Sequence, residues 1–181
     1  MGGAAVPAQR ITYGGELGYE LYLSREWAVQ VGDELMRAAS PEPVGYTALD
    51  SLRIEKGYRY FGADMTSFDT PFEAGVGFCV AEGKRPELDR SPAQRLRTLV
   101  VGGEEYLTVY GGEAVYREGR VIGRVRSAAY GFTVRRNVAL ARLPAELPEG
   151  AGVEVDVLGE LVPAVVAPDA LYDPANERIR R

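Results

Sequence analysis

The second half of this chain is a succession of short, β-branched runs separated by turn residues, and no other feature limits the fold as strongly. Leu96 to Val101, Tyr106 to Val109, Ala114 to Arg117, Val121 to Val125, Val134 to Leu143, Val153 to Leu158 and Leu161 to Val166 all read as strands. Glu118-Gly119 is a hairpin signal between two of them, and Gly159-Glu160 marks a second turn. Strands this short, spaced this evenly, predict a small Greek-key barrel or sandwich.

The first half follows a different rule. Ile11, Tyr13, Tyr19, Leu21 and Leu23 fall on odd positions, which predicts two extended stretches around a kink at Gly14-Gly15 and Gly18. Ser24 is placed as the N-cap of a helix over residues 26–39, with Val31, Leu35, Ala38 and Ala39 as its apolar stripe. Pro41-Glu42-Pro43 ends it. A second helix is expected over 46–56, with Ala48, Leu49 and Leu52 facing inward and Gly57 closing it. Strand, helix, helix and a further extended piece form an incomplete α+β unit. The charged, proline-containing segment 81–94 divides the two halves.

Composition narrows the function by what is missing. The 181 residues include no histidine and one cysteine. Triads that need an imidazole base cannot form within the chain, nor can zinc sites built on histidine or on several thiolates, so no metal site is expected. Cys79 has no partner for an internal disulfide, which suits a reducing compartment. Its setting, Val76-Gly77-Phe78-Cys79-Val80, predicts a buried core thiol. A formal charge of −5 argues against gripping a nucleic-acid backbone. No apolar run approaches the ~20 residues of a membrane span. The N-terminus lacks a basic leader segment, so the expected location is cytoplasmic.

Tyr13-Gly14-Gly15-Glu16-Leu17-Gly18-Tyr19-Glu20 resembles the YxGExGYE motif of the glycine-cleavage T-protein (aminomethyltransferase) superfamily. Four further blocks follow in the family's order: Ala48 to Gly57; Gly62-Ala63-Asp64-Met65 with Thr70 to Gly75; Gly123 to Gly131; and Leu171-Tyr172-Asp173-Pro174. The stretch Ala48-Leu49-Asp50-Ser51-Leu52-Arg53-Ile54-Glu55-Lys56-Gly57-Tyr58 is similar to the variant in the folate-binding modules of dimethylglycine and sarcosine dehydrogenases. The resemblance implies an α+β fold: a partial ferredoxin-like α/β unit over residues 1–90, then a small C-terminal Greek-key β-barrel over 91–181. It covers the second half of the family module. The family's catalytic aspartate belongs to the first half and corresponds to no residue here. No flavin-binding GxGxxG occurs either.

The resemblance also implies a ligand, tetrahydrofolate. Glu20 occupies the family's pterin-binding position, and a carboxylate offers two oxygens to the pterin's paired donors. Its strand parity sets it opposite Tyr19 and Leu21, so it can face a cleft while they face a core. Read from the residues alone, Glu20 is first a polar side chain on a strand's wet face, and it is the motif that turns the reading to a ligand. Tyr13 and Tyr58 match ligand-contacting positions, and each also reads as a core aromatic. Leu49 stands where T-proteins carry an arginine that grips the folate tail. Glu16, Arg53, Glu55, Asp64 and Glu73 are assigned to structural pairs, and Arg135-Arg136 and the 178–181 tail to solvated surface. Two functions remain open. One is a tetrahydrofolate-binding, aminomethyltransferase-like module of one-carbon metabolism that is inactive alone. The other is a non-catalytic binding or interaction remnant of that family. Either is expected to self-associate or to bind a partner chain supplying the first half.

Overall fold

A computed structural model describes residues 5–84, 88 and 90–181. The 81–94 divider and the N-terminal leader reading therefore fall in part outside the described residues. The order is β1 (Ala8–Gln9), β2 (Glu20–Leu21), α1 (Ala28–Ala39), α2 (Tyr46–Glu55), then β3 (Gln94–Val101), β4 (Ala114–Arg117), β5 (Arg120–Gly131), β6 (Arg136–Pro144), β7 (Gly152–Val157) and β8 (Glu160–Ala167). Among the described residues, no helix is long and apolar enough to cross a membrane.

Strands β3 to β8 close into an antiparallel barrel in the order β3-β6-β5-β4-β7-β8. Strands β4, β5 and β6 are successive hairpin neighbours, and β3 returns beside β6, which makes the expected Greek key. Two tight hairpins turn through paired positive φ angles, Glu118 (52°) with Gly119 (73°) and Leu158 (54°) with Gly159 (93°). Those angles suit the right-handed twist of the flanking strands. Alternate residues point inward: Leu99 and Val101 of β3, Ala139 and Ala141 of β6, Val153 and Val155 of β7. The expected strand over Tyr106 to Val109 does not form. There the buried Asn137 accepts from the Leu107 N–H and donates to the preceding Glu105 carbonyl, so these groups bond a side chain rather than a neighbouring strand.

A β-bulge at Arg126 interrupts the β5–β6 register, with Val125 opposite Ala141 and Ser127 opposite Leu140. The extra residue reverses the alternation. Val125 and Ala128 belong to the interior cluster, whereas Ala129 packs outside the wall with Ile54, Leu96, Val138 and Leu140. The bulge thus turns Ser127 outward, where α2 lies against β5 and β6.

The face α2 buries is not the one its apolar pattern predicts. Ala48 is exposed and Leu49 and Leu52 are half-buried, while Ser51, Arg53, Ile54 and Glu55 are buried. The inward face is polar because the barrel's outer wall offers hydrogen bonds. Ser51 donates to the Tyr130 carbonyl at 2.7 Å, and Glu55 accepts from the Thr133 and Val134 N–H groups at 2.7 and 3.2 Å. The stripe of α1 is likewise only partly used: Val31 is buried, Leu35 half-buried, and Ala38 and Ala39 are exposed. Tyr19, expected to face a core, is exposed, because β1 and β2 form a two-stranded ribbon with, among the described residues, only each other as sheet neighbours. Cys79 is exposed too, since Gly77–Cys79 coils into a 3-10 turn rather than entering the core.

Candidate functional site

The helix α2 ends at Glu55, and Gly57 then takes a positive φ of 71°. Gly57 packs against the Asp169 backbone so closely that a Cβ would overlap the Asp169 carbonyl oxygen. Only glycine meets both demands. The chain beyond it, Tyr58 to Tyr60, is thereby laid beside the segment that leaves β8. A cleft of about 430 Å³ opens there, lined by Tyr13, Tyr58, Met65 and Phe78 together with Lys56 and Arg59. A volume of that size suits a small organic ligand.

The two aromatic candidates meet in this cleft. Tyr13 and Tyr58 stack with ring centroids 6.1 Å apart and planes 18° apart, and Tyr60 tilts against Tyr13 at 6.5 Å. The Tyr13 hydroxyl donates to the Arg59 carbonyl at 3.2 Å. Burial raises the Tyr13 phenol above its ordinary value against the pull of Arg53. Burial, then the Asp173 carboxylate, raises Tyr58 as well. Both are therefore neutral phenols at physiological pH, fit to stack on a flat ring and to donate a proton in a hydrogen bond.

The cleft's charges are paired. Lys56 donates to the Asp173 carboxylate at 2.8 Å, and Arg59 to the Asp169 carboxylate at 3.0 Å. Arg95 approaches the same Asp169 oxygen at 3.8 Å, so two guanidinium groups share one carboxylate. Each also has a buried Nε without an acceptor among the described residues. With Arg95, which stands outside the lining, the cluster around Asp169 carries one cation in excess. Among the described residues, the lining's amine and carboxylate are each held in an ion pair.

Glu20 stands apart. It is exposed on β2, outside the lining of the Tyr13–Tyr58 cleft, and accepts from the Tyr22 hydroxyl at 2.5 Å. That bond raises the Tyr22 phenol and leaves one Glu20 oxygen, Oε1, without a described partner. The structure brings Tyr13 and Tyr58 together and does not bring Glu20 to them. Lys56, Arg59, Met65, Phe78 and Asp169 were not foreseen. The signal available for the first two was adjacency to Tyr58; Asp169 lies 110 residues from Arg59 and offered none.

The remaining motif charges hold the two halves together. Arg53, 2% exposed, donates to Asp64 at 2.5 Å, Asp50 at 3.0 Å, the Tyr58 carbonyl at 3.1 Å and Ser127 at 3.1 Å. Asp64 also accepts from the Ser127 hydroxyl and from the Tyr60 N–H. Glu73 and Asp69 hold Arg142 of β6, and Glu16 accepts from the Tyr172 hydroxyl. All five of the charges assigned to structural pairs, Glu16, Arg53, Glu55, Asp64 and Glu73, bridge separate elements. Among the described residues, no group of three or more acidic or thiol side chains could hold a metal.

Comparison with known proteins gives one consistent answer. Residues 1–84 match the GCVT N-terminal domain, and residues 94–173 match the glycine cleavage T-protein C-terminal barrel domain. The chain is 39% identical over 183 residues to 4-methylaminobutanoate oxidase (formaldehyde-forming) of Paenarthrobacter nicotinovorans, covering 94% of this chain and 22% of that protein. It is 33% identical over 192 residues to the mitochondrial dimethylglycine dehydrogenase of Homo sapiens, covering 97% and 22%. In structure it is similar to the glycine cleavage system aminomethyltransferase T of Bartonella henselae, with a TM-score of 0.82 and 26% identity, over 94% of this chain and 50% of that one. The chain therefore spans about a fifth of the two oxidising relatives and half of the aminomethyltransferase.

Proposed function

The chain belongs to the glycine-cleavage T-protein superfamily, and from that premise we propose that it is a tetrahydrofolate-binding, aminomethyltransferase-like module of one-carbon metabolism. The observation that carries this reading is the stacked Tyr13–Tyr58 pair in a cleft of ligand size. In this reading the neutral phenols take the flat parts of the folate, and Glu20 takes the pterin edge with its carboxylate. The surplus cation at Arg59 and Arg95 serves the acidic tail in place of the family arginine replaced by Leu49. Catalysis in such a module is largely positioning, bringing the folate nitrogens to a one-carbon donor.

Among the described residues, the cleft's amine and carboxylate are already paired, and Glu20 lies on a ribbon with no third strand. Both features favour a module completed by a second protein surface, from another copy or from a partner chain. The purified chain alone is expected to form no methylene-tetrahydrofolate from methylglycine-derived donors, and turnover by it would refute that part. Light scattering at ~100 μM is expected to show association, on the ~mM–μM affinity scale. A stable monomer would count against it.

Calorimetric titration with tetrahydrofolate tests the ligand itself. Glu20→Gln turns one acceptor into a donor facing donors, which costs about 2 kcal/mol, roughly thirtyfold in affinity. Glu16→Gln changes a side chain engaged with Tyr172 and should leave folate affinity near wild type. A larger loss at Glu16 than at Glu20 would overturn the assignment. Absence of binding to wild type would favour the non-catalytic remnant.

A further inference from the structure

A second concavity lies on the outer barrel wall, formed by a strand bent twice. Besides the bulge at Arg126, β5 carries an irregularity against β4: Val115 faces Gly123 and Tyr116 faces Val121, leaving Ile122 unpaired. Bulges bend and twist the strand that carries them. Two on one strand, four residues apart, hollow a groove of about 400 Å³. Both bulged residues line it, with Gly123, Arg124 and Arg142. Gly123 packs so tightly on the Arg142 carbonyl that no side chain fits, so the groove floor is bare backbone.

The charge pattern of this groove is costly unless something offsets it. Arg124 and Arg142 are direct cross-strand partners, and like charges in that relation destabilise a sheet. Arg142 is neutralised by Asp69 and Glu73. Arg124 is exposed and has only the Gly112 carbonyl, at 2.9 Å. Arg126 is half-buried, and its guanidinium meets no acceptor among the described residues. No acidic side chain lines the groove; its charged groups are guanidinium groups, which donate without accepting, and Gln94 at its edge is neutral. The charged part of a complementary ligand is therefore an acceptor. The volume exceeds a bare ion's, and Val121 and Ile122 supply an apolar wall.

We propose that this groove is a binding site for a small organic oxyanion, a carboxylate or phosphate monoester whose charged group is held by Arg124 and Arg126 while its apolar body lies against Val121 and Ile122 over Gly123. The site is separate from the tyrosine cleft and shares no lining residue with it. Planar, forked donors match either oxyanion through paired hydrogen bonds.

The test uses the full chain, with phenyl phosphate, benzoate and inorganic phosphate as probes followed by amide chemical-shift mapping. Saturable shifts confined to 121–126 and 142 are expected with phenyl phosphate or benzoate, weaker with inorganic phosphate, and weaker again as salt rises. The stronger of the two organic probes identifies the source of the charge. Arg126→Gln should weaken binding at least tenfold, and Arg124→Gln with Arg126→Gln should abolish it. Neither arginine has an acidic partner, so thermal stability should be retained. Three results would overturn the proposal: no saturable shift by 10 mM of either organic probe, on the ~mM scale of weak affinity; shifts spread equally over Arg135 and Arg136; or unchanged affinity in the double variant.

Discussion

In the barrel, alternate residues of six strands fill a closed interior, and Leu99, Val115, Ala139, Ala141, Leu143 and Val155 have no exposed surface at all. Between residues 5 and 84, the only buried apolar side chains are Val31, Ile54 and Ala74, and Ile54 packs on the barrel wall rather than on its own half. The same stretch exposes large apolar groups, with Phe68 95%, Tyr46 86% and Val29 76% exposed. A fully buried aliphatic or aromatic side chain contributes about 1.5–3 kcal/mol, so the first half forgoes most of what holds the second together. What it has instead is a polar seam. The lesson is that a region can be well ordered while owning little core, provided its buried charges are matched on a neighbour that does.

That comparison can be broken most directly at the seam. Asp64→Ala strips the buried Arg53 of its buried carboxylate and leaves it only the solvent-facing Asp50, and removing one member of a buried pair costs about 3–5 kcal/mol. Hydrogen exchange should show α2 losing protection while β3, β6 and β7 keep theirs; equal losses in both halves would show that they unfold as one unit. In the barrel, Leu99→Ala should cost about 2–5 kcal/mol by urea denaturation, and α2 should lose protection with it, since α2 leans on that wall.

A smaller effect comes from pH. A hydrogen bond from Lys56 is the largest influence on Asp173 and holds it below the ordinary 3.8. Burial would raise Asp69, but Thr66 and Arg142 outweigh it and hold Asp69 below 3.8 too. A carboxyl lowered in the folded state contributes stability above its unfolded value and loses it as pH falls through the folded one. The urea midpoint should therefore be insensitive to these groups from pH 7 to about 5 and decline below about pH 4. Lys56→Met should remove the Asp173 share of that decline. The smallest effect belongs to the exposed face of α1. Met36→Ala should change stability by no more than about 0.5 kcal/mol, and a larger loss would reveal a partner already seated there.

These contrasts mark where sequence reasoning works. Hairpins were legible because turn chemistry is local: Glu118-Gly119 fixes its own geometry. Barrel strands were legible because a closed interior enforces alternation. Tyr106 to Val109 was misread because its Leu107 N–H goes to the side chain of Asn137, 30 residues away, rather than to a neighbouring strand. The inward face of α2 was misread because apolar periodicity assumes a wholly apolar neighbour, and beside the apolar patch that takes Ile54 its neighbour here presents carbonyls and amides on β5 and the β5–β6 turn. Cys79 was misread for a related reason: hydrophobic flanks predict burial only where a core exists to receive them. Of the site, the tyrosines could be read from motif position. The shared Asp169 could not, since it joins Arg59 and Arg95 only once β8 closes the barrel.

The tail that leaves β8 carries one more implication, for synthesis. Leu171 and Tyr172 both donate their N–H to the Glu55 carbonyl, Asp173 receives Lys56, and the Thr98 hydroxyl donates to the Asp169 carbonyl. The helix α2 is thus fastened by residues translated more than a hundred positions later. On the ribosome, α2 cannot be fully fastened until the segment after β8 has emerged, because non-local contacts form only after their loops can close. A nascent chain stalled at Ala164 should leave α2 open to protease, and release of residues 169–173 should protect it. Resistance before release would mean the helix finds another hold.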